Sequence, residues 1–466
     1  MRQDELFYLT VAEDAARVRA RKLSPVELVQ AHLDRIARVD KKLNAYITVA
    51  GEQALAASQA AERALRRGQA TPPLLGIPFA VKDLLYTRGV RTTGGSQVLE
   101  EFVPDHDATV VERLRGAGAI LLGKLNLMEF AMGGTYTNDR FGPTRNPWDL
   151  DRYPGGSSSG SAAAVAAGLC MASLGTDTGG SIRGPAHNCG IVGLKPTYGR
   201  VSRHGVVPLS WSLDHVGPMT RTVEDCALVL QAIAGHDPRD ATSSVAPVPD
   251  YLARLKAGLR GLRVGVLRGY FSEGLTPQVA EALQAALAVL GGQGAVLSDV
   301  SPRRVEKCQA VYQAIAYAEA SAYHRPWLES RPSSYGPNTR ARLEQGLTIP
   351  ATAYLEAQQE RKLLLGEFLE ALKAVDVLVA PVSAQTAPRL DDEPPLGVPA
   401  LGSPLRYSNP LNLVGLPAVS VPIGFAADGL PTAMQIVGRP FDEATALRVA
   451  YAYEQATPWH TRHPDL

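Results

Sequence analysis

The stretch of sequence that decides the fold lies at residues 154–181 and reads PGGSSSGSAAAVAAGLCMASLGTDTGGS. Its small residues at 162–168 predict a helix that packs very close to its neighbours, and the apolar run 171–174 predicts a buried strand. A Gly-rich turn flanks this helix–strand unit at each end. The first turn carries Ser157 and the second carries Ser181.

The second turn is suited to nucleophilic catalysis. Glycine adopts positive φ without steric cost, and consecutive backbone N–H groups in such a turn form an anion-binding concavity. Ser181 is therefore well placed to attack a carbonyl whose developing oxyanion is held by those N–H groups. The alternative is that these residues serve only packing and turn formation.

Lys82 is the candidate base for such a serine. It ends the apolar run from Gly76 to Val81, which is an unusual place for a free ammonium group. The alternative is a snorkelling or ion-paired lysine. A base must be neutral near pH 7, so the pKa of Lys82 must fall by about 3 units from about 10.4, a differential of roughly 4 kcal/mol. Burial in an apolar pocket supplies pKa shifts of that size.

Other catalytic chemistries have no support in the sequence. The nine histidines form no His-Glu-x-x-His pair and no metal-ligand cluster, and a Walker phosphate loop is missing. Residues 156–160 match Gly-x-Ser-x-Gly, which would centre a Ser-His-Asp hydrolase on Ser158. This pattern is the nucleophile elbow of such hydrolases, and it requires an apolar strand directly before it. Residues 146–154 do not form an apolar strand. We therefore expect no metal and no cofactor.

The composition is that of a globular protein and excludes several classes of partner. With 47 Lys+Arg against 46 Asp+Glu the formal net charge is +1, so directly bound nucleic acid is not expected. No window approaches 18 uninterrupted apolar residues, and Met1 to Asp14 lacks the pattern of a secretory signal. The four cysteines match no zinc or redox spacing. We expect reduced, mostly buried thiols in a cytoplasmic protein that has no membrane contact.

Helix and strand signals alternate along the chain, which predicts an α/β fold with a mostly parallel or mixed sheet. Ser24-Pro25-Val26-Glu27 has the form of a helix start, with a hydroxyl at the N-cap and Pro at the first helical position. The length of 466 residues by itself suggests two or three domains. Residues 302–373 read almost wholly helical and are the candidate for a variable lid or wall. Further expected elements are helices at 107–116, 276–290 and 442–456, and strands at 119–123, 262–267 and 375–379.

Three separated motifs closely resemble those of the amidase signature family. They are Gly-Gly-Ser-Ser-Ser-Gly-Ser from Gly155, Gly-Thr-Asp-Thr-Gly-Gly-Ser-Ile-Arg from Gly175, and Cys-Gly-Ile-Val-Gly-Leu-Lys-Pro-Thr from Cys189. The spacing agrees as well, because Lys82 precedes Ser157 by 75 positions and Ser157 precedes Ser181 by 24, as in the Ser-Ser-Lys triad of that family. This agreement in register outweighs the packing and ion-pair alternatives.

The resemblance implies one amidase signature domain over residues 1–466, with a large mixed, twisted β-sheet covered by helices on both faces. It also implies a Ser-cisSer-Lys hydrolase, in which Ser181 attacks the carbonyl, Ser157 relays the proton and neutral Lys82 is the terminal base. The amine leaves from an acyl-enzyme on Ser181, and water then hydrolyses the ester.

The same resemblance assigns supporting residues around the triad. Ala131 and Met132 fall where the family lines the substrate channel beside the nucleophile. We assign Asp177 and Arg183 to holding the turn by hydrogen bonds rather than to chemistry. The oxyanion hole would consist of the backbone N–H groups of Thr178, Gly179, Gly180 and Ser181.

Two departures from the family pattern lie near the expected site. Ser159 replaces a glycine, and because serine tolerates positive φ poorly, we expect a slightly altered turn. His187 and Asn188 replace a pair of small and aromatic residues. Both changes are expected to influence the choice of substrate rather than the triad.

Within the family, local sequence resembles the A subunit of tRNA-dependent amidotransferases, which releases ammonia from glutamine for a partner subunit. Residues 146–149 and 195–202 are shared with it. Its sequence also carries an Arg-rich, then Tyr-rich helical stretch, and an acidic residue before its Pro-x-Asn-x-x-Gly-Leu-Pro motif. Here the corresponding stretch is 339–346, TRARLEQG, and no acid occurs from Leu396 to Phe425.

The sequence therefore favours a stand-alone amidase that hydrolyses a small carboxylic amide, with esters or carbamates as further possible substrates. The ending Pro458-Trp459-His460 is similar to that of stand-alone amidases. Two alternatives stay open, namely the glutaminase subunit of a Glu-tRNA(Gln)/Asp-tRNA(Asn) amidotransferase and a non-catalytic binding descendant. The expected partner is a small amide, and a homodimer is left open. The pocket is expected to be framed by residues 302–373, whose aromatics are either wall or core: Tyr312, Tyr317, Tyr323, Trp327 and Tyr335.

Overall fold

The computed structural model describes residues 6–132, 136–392 and 406–466. Within these ranges eleven strands form a single sheet. In chain order they are β1 Tyr46–Val49, β2 Pro78–Lys82, β3 Ile120–Leu125, β4 Ala172–Asp177, β5 Val192–Lys195, β6 His215–Thr220, β7 Arg263–Leu267, β8 Val296–Val300, β9 Val377–Pro381, β10 Ala418–Phe425 and β11 Pro431–Val437.

The strand order is β1-β3-β2-β4-β6-β5-β10-β11-β9-β7-β8. Strand β2 pairs in parallel with β3 and β4, and β7 pairs in parallel with β8 and β9. The six remaining pairings are antiparallel. The sheet is therefore mixed, and the predicted α/β class is confirmed.

Thirteen further segments of the described ranges are α-helices of five residues or more. They are α1 Val11–Arg19, α2 Pro25–Leu43, α3 Gly51–Arg66, α4 Thr109–Gly116, α5 Ser159–Ala166, α6 Arg183–Cys189, α7 Val223–Ile233, α8 Pro277–Gly292, α9 Cys308–Ser330, α10 Pro337–Leu347, α11 Ala351–Ala374, α12 Asn409–Leu413 and α13 Glu443–Gln455.

Helices cover both faces of the sheet, and strand β2 shows why. Phe79 and Val81 belong to the larger hydrophobic cluster, together with residues of α4 and α7. Ala80, which points to the opposite face, belongs to a second cluster with residues of α2 and α5. Successive side chains of a strand point to opposite faces, so a strand that is buried on both sides must be covered by helices on both.

The local signals in the sequence are realised in these elements. Ser24 caps α2 and accepts hydrogen bonds from the N–H groups of Val26 and Glu27, as the sequence predicts. The small residues of α5 allow the predicted close packing, because a Cβ on Gly160 would lie 2.3 Å from the carbonyl oxygen of Ala45. Residues 302–373 hold α9, α10 and nearly all of α11.

The four cysteines are free and buried, as expected. Among the described residues, no helix combines the length and the apolar character that crossing a bilayer requires. The same ranges contain no group of three or more His, Cys, Asp or Glu side chains arranged to hold a metal ion.

Candidate active site

Lys82 is the last residue of β2, and all five residues of that strand are buried. Its Nζ donates hydrogen bonds to Ser157 Oγ at 2.7 Å and to Thr176 Oγ1 at 2.8 Å. Burial lowers the pKa of Lys82 from 10.5 to about 7, while the carboxylates of Asp177 and Asp214 act in the opposite direction. An amine with that pKa is partly neutral at pH 7, as a general base must be.

The first Gly-rich turn presents the hydroxyl of Ser157 to the lysine. The peptide bond between Gly156 and Ser157 is cis. A side chain at Gly156 has no room, because a Cβ there would lie 2.0 Å from the Tyr153 hydroxyl and 2.7 Å from Met128 Cε. The Met128 N–H donates to the carbonyl oxygen of Ser157 at 3.2 Å. The surrounding backbone and side chains therefore fix the turn that carries Ser157.

The second Gly-rich turn folds around the carboxylate of Asp177, at the end of β4. Asp177 Oδ1 accepts a hydrogen bond from the Gly180 N–H at 2.8 Å, and Oδ2 accepts one from the Ile182 N–H at 3.1 Å. Gly180 has a φ of 138°, which L side chains rarely adopt. Ser181 lies between these two anchored amides and is 7% exposed, so the turn holds the serine in a largely buried position.

Arg183 provides the counter-charge of Asp177. Its Nε lies 3.1 Å from Asp177 Oδ2 and its Nη2 lies 3.1 Å from Oδ1, and both side chains are fully buried. Its Nη1 donates to Gln435 Oε1 at 2.7 Å, and its Nη2 also donates to Asn412 Oδ1 at 2.5 Å. Burial alone would raise the pKa of Asp177, but Arg183, Lys195 and Asn412 together hold it well below its usual range. The ionised pair thus ties the second turn to β11 and α12.

The four N–H groups predicted to form the oxyanion hole are not equivalent in the structure. Gly180 donates its N–H to Asp177. The N–H groups of Thr178, Gly179 and Ser181 have no hydrogen-bond partner among the described residues. Gly180 therefore maintains the shape of the turn, and three amides remain available to a developing oxyanion.

A loop at residues 209–214 supports the second turn from another side. Asp214 Oδ1 accepts a hydrogen bond from the Thr178 hydroxyl at 2.6 Å, and its Oδ2 accepts from the N–H groups of Leu209 and Ser210 at 2.9 and 3.0 Å. The buried carboxylate of Glu319, on α9, accepts from both Ser210 and Ser212 of this loop. Helix α9 is therefore connected to the nucleophile turn through two carboxylates.

Helices α9 and α12 also close directly over Gly179. A Cβ on Gly179 would lie 2.5 Å from Asn409 Oδ1 and 2.9 Å from the hydroxyl of Tyr312. Burial raises the pKa of Tyr312, and the nearby guanidinium of Arg342 acts in the opposite direction. The segment 302–373 thus brings an aromatic hydroxyl to the nucleophile turn.

The aromatic residues of that segment divide between wall and core. Tyr312 contacts the nucleophile turn, as described above, whereas Tyr317 and Tyr335 belong to the hydrophobic core. The rings of Tyr323 and Trp327 pack edge-on at 5.5 Å. The core interpretation therefore holds for Tyr317 and Tyr335, and a wall of the substrate pocket stays a prediction for Tyr312.

The predicted channel residues Ala131 and Met132 are buried, and Ala131 belongs to a strained segment. Phe130 and Ala131 have φ values of 48° and 58°, an uncommon conformation for residues other than glycine. The Phe130 N–H donates to the carbonyl oxygen of Gly94 at 2.7 Å, and its ring lies 4.4 Å from that of His324 on α9. Strained backbone clusters at functional sites. The substrate contacts of Ala131 and Met132 stay a prediction.

The departures from the family pattern have structural explanations. Ser159 is the first residue of α5, so it does not need positive φ, and the expected strain does not arise. His187 is fully buried, accepts a hydrogen bond from the Ala433 N–H at 2.9 Å, and has a pKa that burial lowers to about 4. Asn188 donates to the carbonyl oxygen of Tyr153 at 3.3 Å. These contacts connect α6 to β11 and to the first turn.

Several residues of the site carry no signal in the sequence that we could interpret. Thr176 is the second hydrogen-bond acceptor of Lys82. It lies in the quoted stretch 154–181, two residues before the predicted oxyanion-hole residue Thr178, and that position is the one signal that could have suggested it. Asp214 lies outside the three motifs, and Glu319 and Asn409 are distant from them in sequence. Only the fold brings them to the nucleophile turn.

The fold and the lysine–serine arrangement are those of an α/β enzyme that acts on amides, and comparison with known proteins identifies the family. The family model described as Amidase matches residues 27–447. The chain belongs to the amidase signature family, whose members act on carbon–nitrogen bonds.

Curated relatives cover the whole chain. The A subunit of the glutamyl-tRNA(Gln) amidotransferase of Geobacter metallireducens is 46% identical over 492 residues, which is 99% of this chain and 100% of that protein. The protein of the same name from Chloroflexus aggregans is 47% identical, and the alignment covers 99% of each chain.

Solved structures share the fold over nearly the full length. A chain of a vestigial protein complex that reveals the evolutionary origins of an s-triazine catabolic enzyme is 35% identical, with a TM-score of 0.91 and coverage of 96% and 98%. The A subunit of the glutamyl-tRNA(Gln) amidotransferase of Thermotoga maritima is 37% identical, with a TM-score of 0.83 and coverage of 97% and 96%. The native peptide amidase of Stenotrophomonas maltophilia is 34% identical, with a TM-score of 0.88 and 98% coverage of each chain.

Proposed function

We propose that this enzyme cleaves a carboxamide through an acyl-enzyme on Ser181. The observation that carries the proposal is the buried hydrogen bond of 2.7 Å from Lys82 Nζ to Ser157 Oγ, on a lysine whose pKa burial lowers to about 7. A lysine with that pKa can receive a proton near neutral pH, which activates a serine nucleophile.

The first half of the reaction forms a covalent ester. Ser181 Oγ attacks the carbonyl carbon, and its proton passes through Ser157 Oγ to Lys82 Nζ. The N–H groups of Thr178, Gly179 and Ser181 stabilise the oxyanion of the tetrahedral intermediate. When the C–N bond breaks, the proton on Lys82 returns through Ser157 to the departing nitrogen, and ammonia or an amine leaves.

The second half restores the enzyme. A water molecule gives its proton to Ser157 and Lys82 and attacks the ester carbonyl. The same N–H groups hold the second oxyanion. The intermediate collapses to the carboxylic acid, and Ser181 recovers its proton.

We propose glutamine as the amide and the A subunit of a tRNA-dependent amidotransferase as the role, ahead of the stand-alone amidase that the sequence favours. Full-length relatives of that name at 46–47% identity support this choice. In that role the ammonia is released to a partner subunit that carries the aminoacyl-tRNA.

One observation favours the stand-alone amidase as the second candidate. A carboxylate that would bind the α-ammonium group of glutamine is missing from residues 396–425. Peptide amidase, with a TM-score of 0.88, shows that a similar fold also occurs in an amidase.

The purified chain should hydrolyse its amide substrate, and Ser181→Ala should lose at least a thousandfold in kcat and all covalent adduct on rapid acid quench and mass spectrometry. Glutamine and an aryl amide, each tested with the chain alone and with co-expressed partner subunits, distinguish the two roles. Glutamine turnover that partners stimulate favours the amidotransferase role. Aryl amide turnover by the chain alone, without glutamine turnover, favours the amidase. An acyl adduct that persists in Ser181→Ala contradicts the mechanism.

A further inference from the structure

The side chain of Asn409 carries a polar atom that the structure leaves unused beside the nucleophile turn. Asn409 is the first residue of α12 and is 1% exposed. Its Oδ1 is buried and has no hydrogen-bond partner among the described residues. A buried carbonyl oxygen without a donor is energetically unfavourable, so an unused acceptor of this kind needs an explanation.

The other end of the same amide explains its orientation. Asn409 Nδ2 donates a hydrogen bond to Gln309 Oε1 of α9 at 2.9 Å. With its NH₂ group engaged there, the amide turns its oxygen towards Gly179, where an added Cβ would lie 2.5 Å from Oδ1. Gly179 is one of the residues whose N–H is free to hold the oxyanion, and Ser181 follows two positions later. The oxygen is therefore held at the edge of the space where a scissile carbonyl would bind.

The chemistry of this atom limits what it can recognise. An amide oxygen accepts hydrogen bonds and donates none, so its partner must be a donor. It carries no formal charge, unlike a carboxylate. The hydroxyl of Tyr312 lies against the same side of Gly179, which narrows the space around Oδ1.

We propose that Asn409 is a specificity-determining residue, whose Oδ1 accepts a hydrogen bond from an N–H group of the bound amide. The inference rests on the proposed cleavage at Ser181 and adds a requirement on the substrate. Two sources of that N–H fit, namely the carboxamide nitrogen that is cleaved and an amino group of the acyl part. Residues 396–425 contain no Asp or Glu. The neutral Asn409 Oδ1 would therefore act as the hydrogen-bond acceptor in place of a carboxylate.

The test compares wild type, Asn409→Leu and Asn409→Asp. Leucine has nearly the same shape and removes the acceptor, whereas aspartate keeps an oxygen in place. The substrates are glutamine, glutamate γ-methyl ester, which lacks the carboxamide N–H, and glutaric acid monoamide, which lacks the amino group. Thermal melts of the three proteins verify that the fold is retained.

We expect Asn409→Leu to lower kcat/KM for glutamine about tenfold or more, as the loss of a hydrogen bond to a buried donor does. Asn409→Asp keeps an acceptor oxygen but loses the Nδ2 donor to Gln309 Oε1, so it should retain a higher kcat/KM for glutamine than Asn409→Leu. The loss should vanish for one of the two analogues, and that analogue identifies the source of the N–H. An unchanged kcat/KM for glutamine in Asn409→Leu, or an equal loss for all three substrates, overturns the proposal.

Failure of the proposed function gives a different pattern. If wild type cleaves an aryl amide but not glutamine, the glutamine assignment is wrong, and the same variants are compared on acetanilide and phenyl acetate, which share an acyl group. If Asn409→Leu then lowers kcat/KM for acetanilide but not for phenyl acetate, the role of Asn409 is supported. If Asn409→Leu changes kcat/KM for the two substrates equally, the role of Asn409 is contradicted. If no substrate acylates Ser181 in wild type, both proposals are wrong.

Discussion

At the scale of single residues, the burial of Lys82 and the crowding of Gly179 determine what the site can do. Lys82 lies on a fully buried strand, and its amine is held by two hydroxyl groups. Gly179 lies under a tyrosine hydroxyl and an asparagine oxygen. Each residue leads to a prediction that can be measured.

The pH dependence of kcat/KM should report Lys82. A base must be neutral, so kcat/KM should rise with pH along an acidic limb with an apparent pKa near 7, the value that burial gives to Lys82. Asp214 raises the pKa of Lys82, so Asp214→Asn should move the limb to lower pH. Initial rates between pH 5 and 9 measure both, and a limb that stays in place or moves upward in Asp214→Asn contradicts this account.

Gly179→Ala should lower kcat by about a hundredfold or more. Its Cβ would meet Asn409 Oδ1 at 2.5 Å and Tyr312 at 2.9 Å, so the turn must move, and small displacements of catalytic groups cost about that factor. Gly184 on α6 is the matched control for stability, because a Cβ there meets nothing within 4 Å. Gly184→Ala should keep the wild-type Tm. Steady-state kinetics and thermal melts of both variants test this, and a Gly179→Ala enzyme with wild-type kcat would show that the turn tolerates a side chain.

At the scale of elements, helix α9 supports the nucleophile turn through contacts that the sequence does not predict. Glu319 connects it to the loop 209–214 and to the Tyr354 hydroxyl of α11, at 2.8 Å. That loop carries Asp214, which accepts a hydrogen bond from the Thr178 hydroxyl. A change in α9 should therefore reach the nucleophile turn through hydrogen bonds, without contact to the substrate.

Glu319→Ala should destabilise the protein by about 2–4 kcal/mol, because it leaves several buried donors without an acceptor. It should also lower kcat more than it raises KM, since it loosens the turn rather than the binding site. Glu329→Ala on the same helix is the control, because Glu329 is 66% exposed in an i,i+4 pair with Arg325 and such pairs contribute little. Urea unfolding and kinetics of both variants provide the measurement. Equal behaviour of the two variants would show that Glu319 does not support the site.

At the scale of the whole molecule, three buried carboxyl groups lie on helices that are far apart in the chain. Burial raises the pKa of Asp14 on α1 to about 7, of Asp225 on α7 to about 6, and of Glu454 on α13 to about 8. The Ala12 N–H of α1 donates to Asp225 Oδ1 at 3.1 Å, which places α1 on α7. Both carboxylate oxygens of Asp14 are buried without a hydrogen-bond partner among the described residues.

These groups give the folded protein a defined pH dependence. A carboxyl group with a raised pKa in the folded protein keeps a proton that the unfolded chain has already released. Its contribution to the free energy of unfolding is therefore complete below about pH 4 and is lost as the pH rises through the folded pKa. Between about pH 4 and 8 the three carboxyl groups therefore lower the free energy of unfolding as the pH rises. Asp14→Asn should raise stability at pH 8 by about 2–4 kcal/mol relative to wild type and change it little at pH 4.

Urea unfolding at the two pH values measures this difference. The control is Asp34→Asn on α2, because Asp34 is exposed and its substitution should have little effect at either pH. An Asp14→Asn protein that gains no stability at pH 8 would show that Asp14 is accommodated there in its charged form.

The amino-acid sequence by itself determined the elements and the family. The cap at Ser24, the small-residue helix α5 and the buried strands have local causes, since hydrogen-bond caps, side-chain size and apolar runs act over a few residues. The register of Lys82, Ser157 and Ser181 is likewise a property of the chain, and it predicted the proximity of Lys82 to Ser157 that the structure shows.

The tertiary structure alone decided what surrounds these residues. Asn412 and Asn409 reach the nucleophile turn directly, whereas Gln435 and Glu319 act on it through Arg183 and through the loop 209–214. All four lie more than a hundred positions after Ser181. No local signal marks such residues, because their burial and their partners arise only when distant strands and helices pack together. The same is true of the pKa of Lys82, which burial sets once the sheet is covered on both faces.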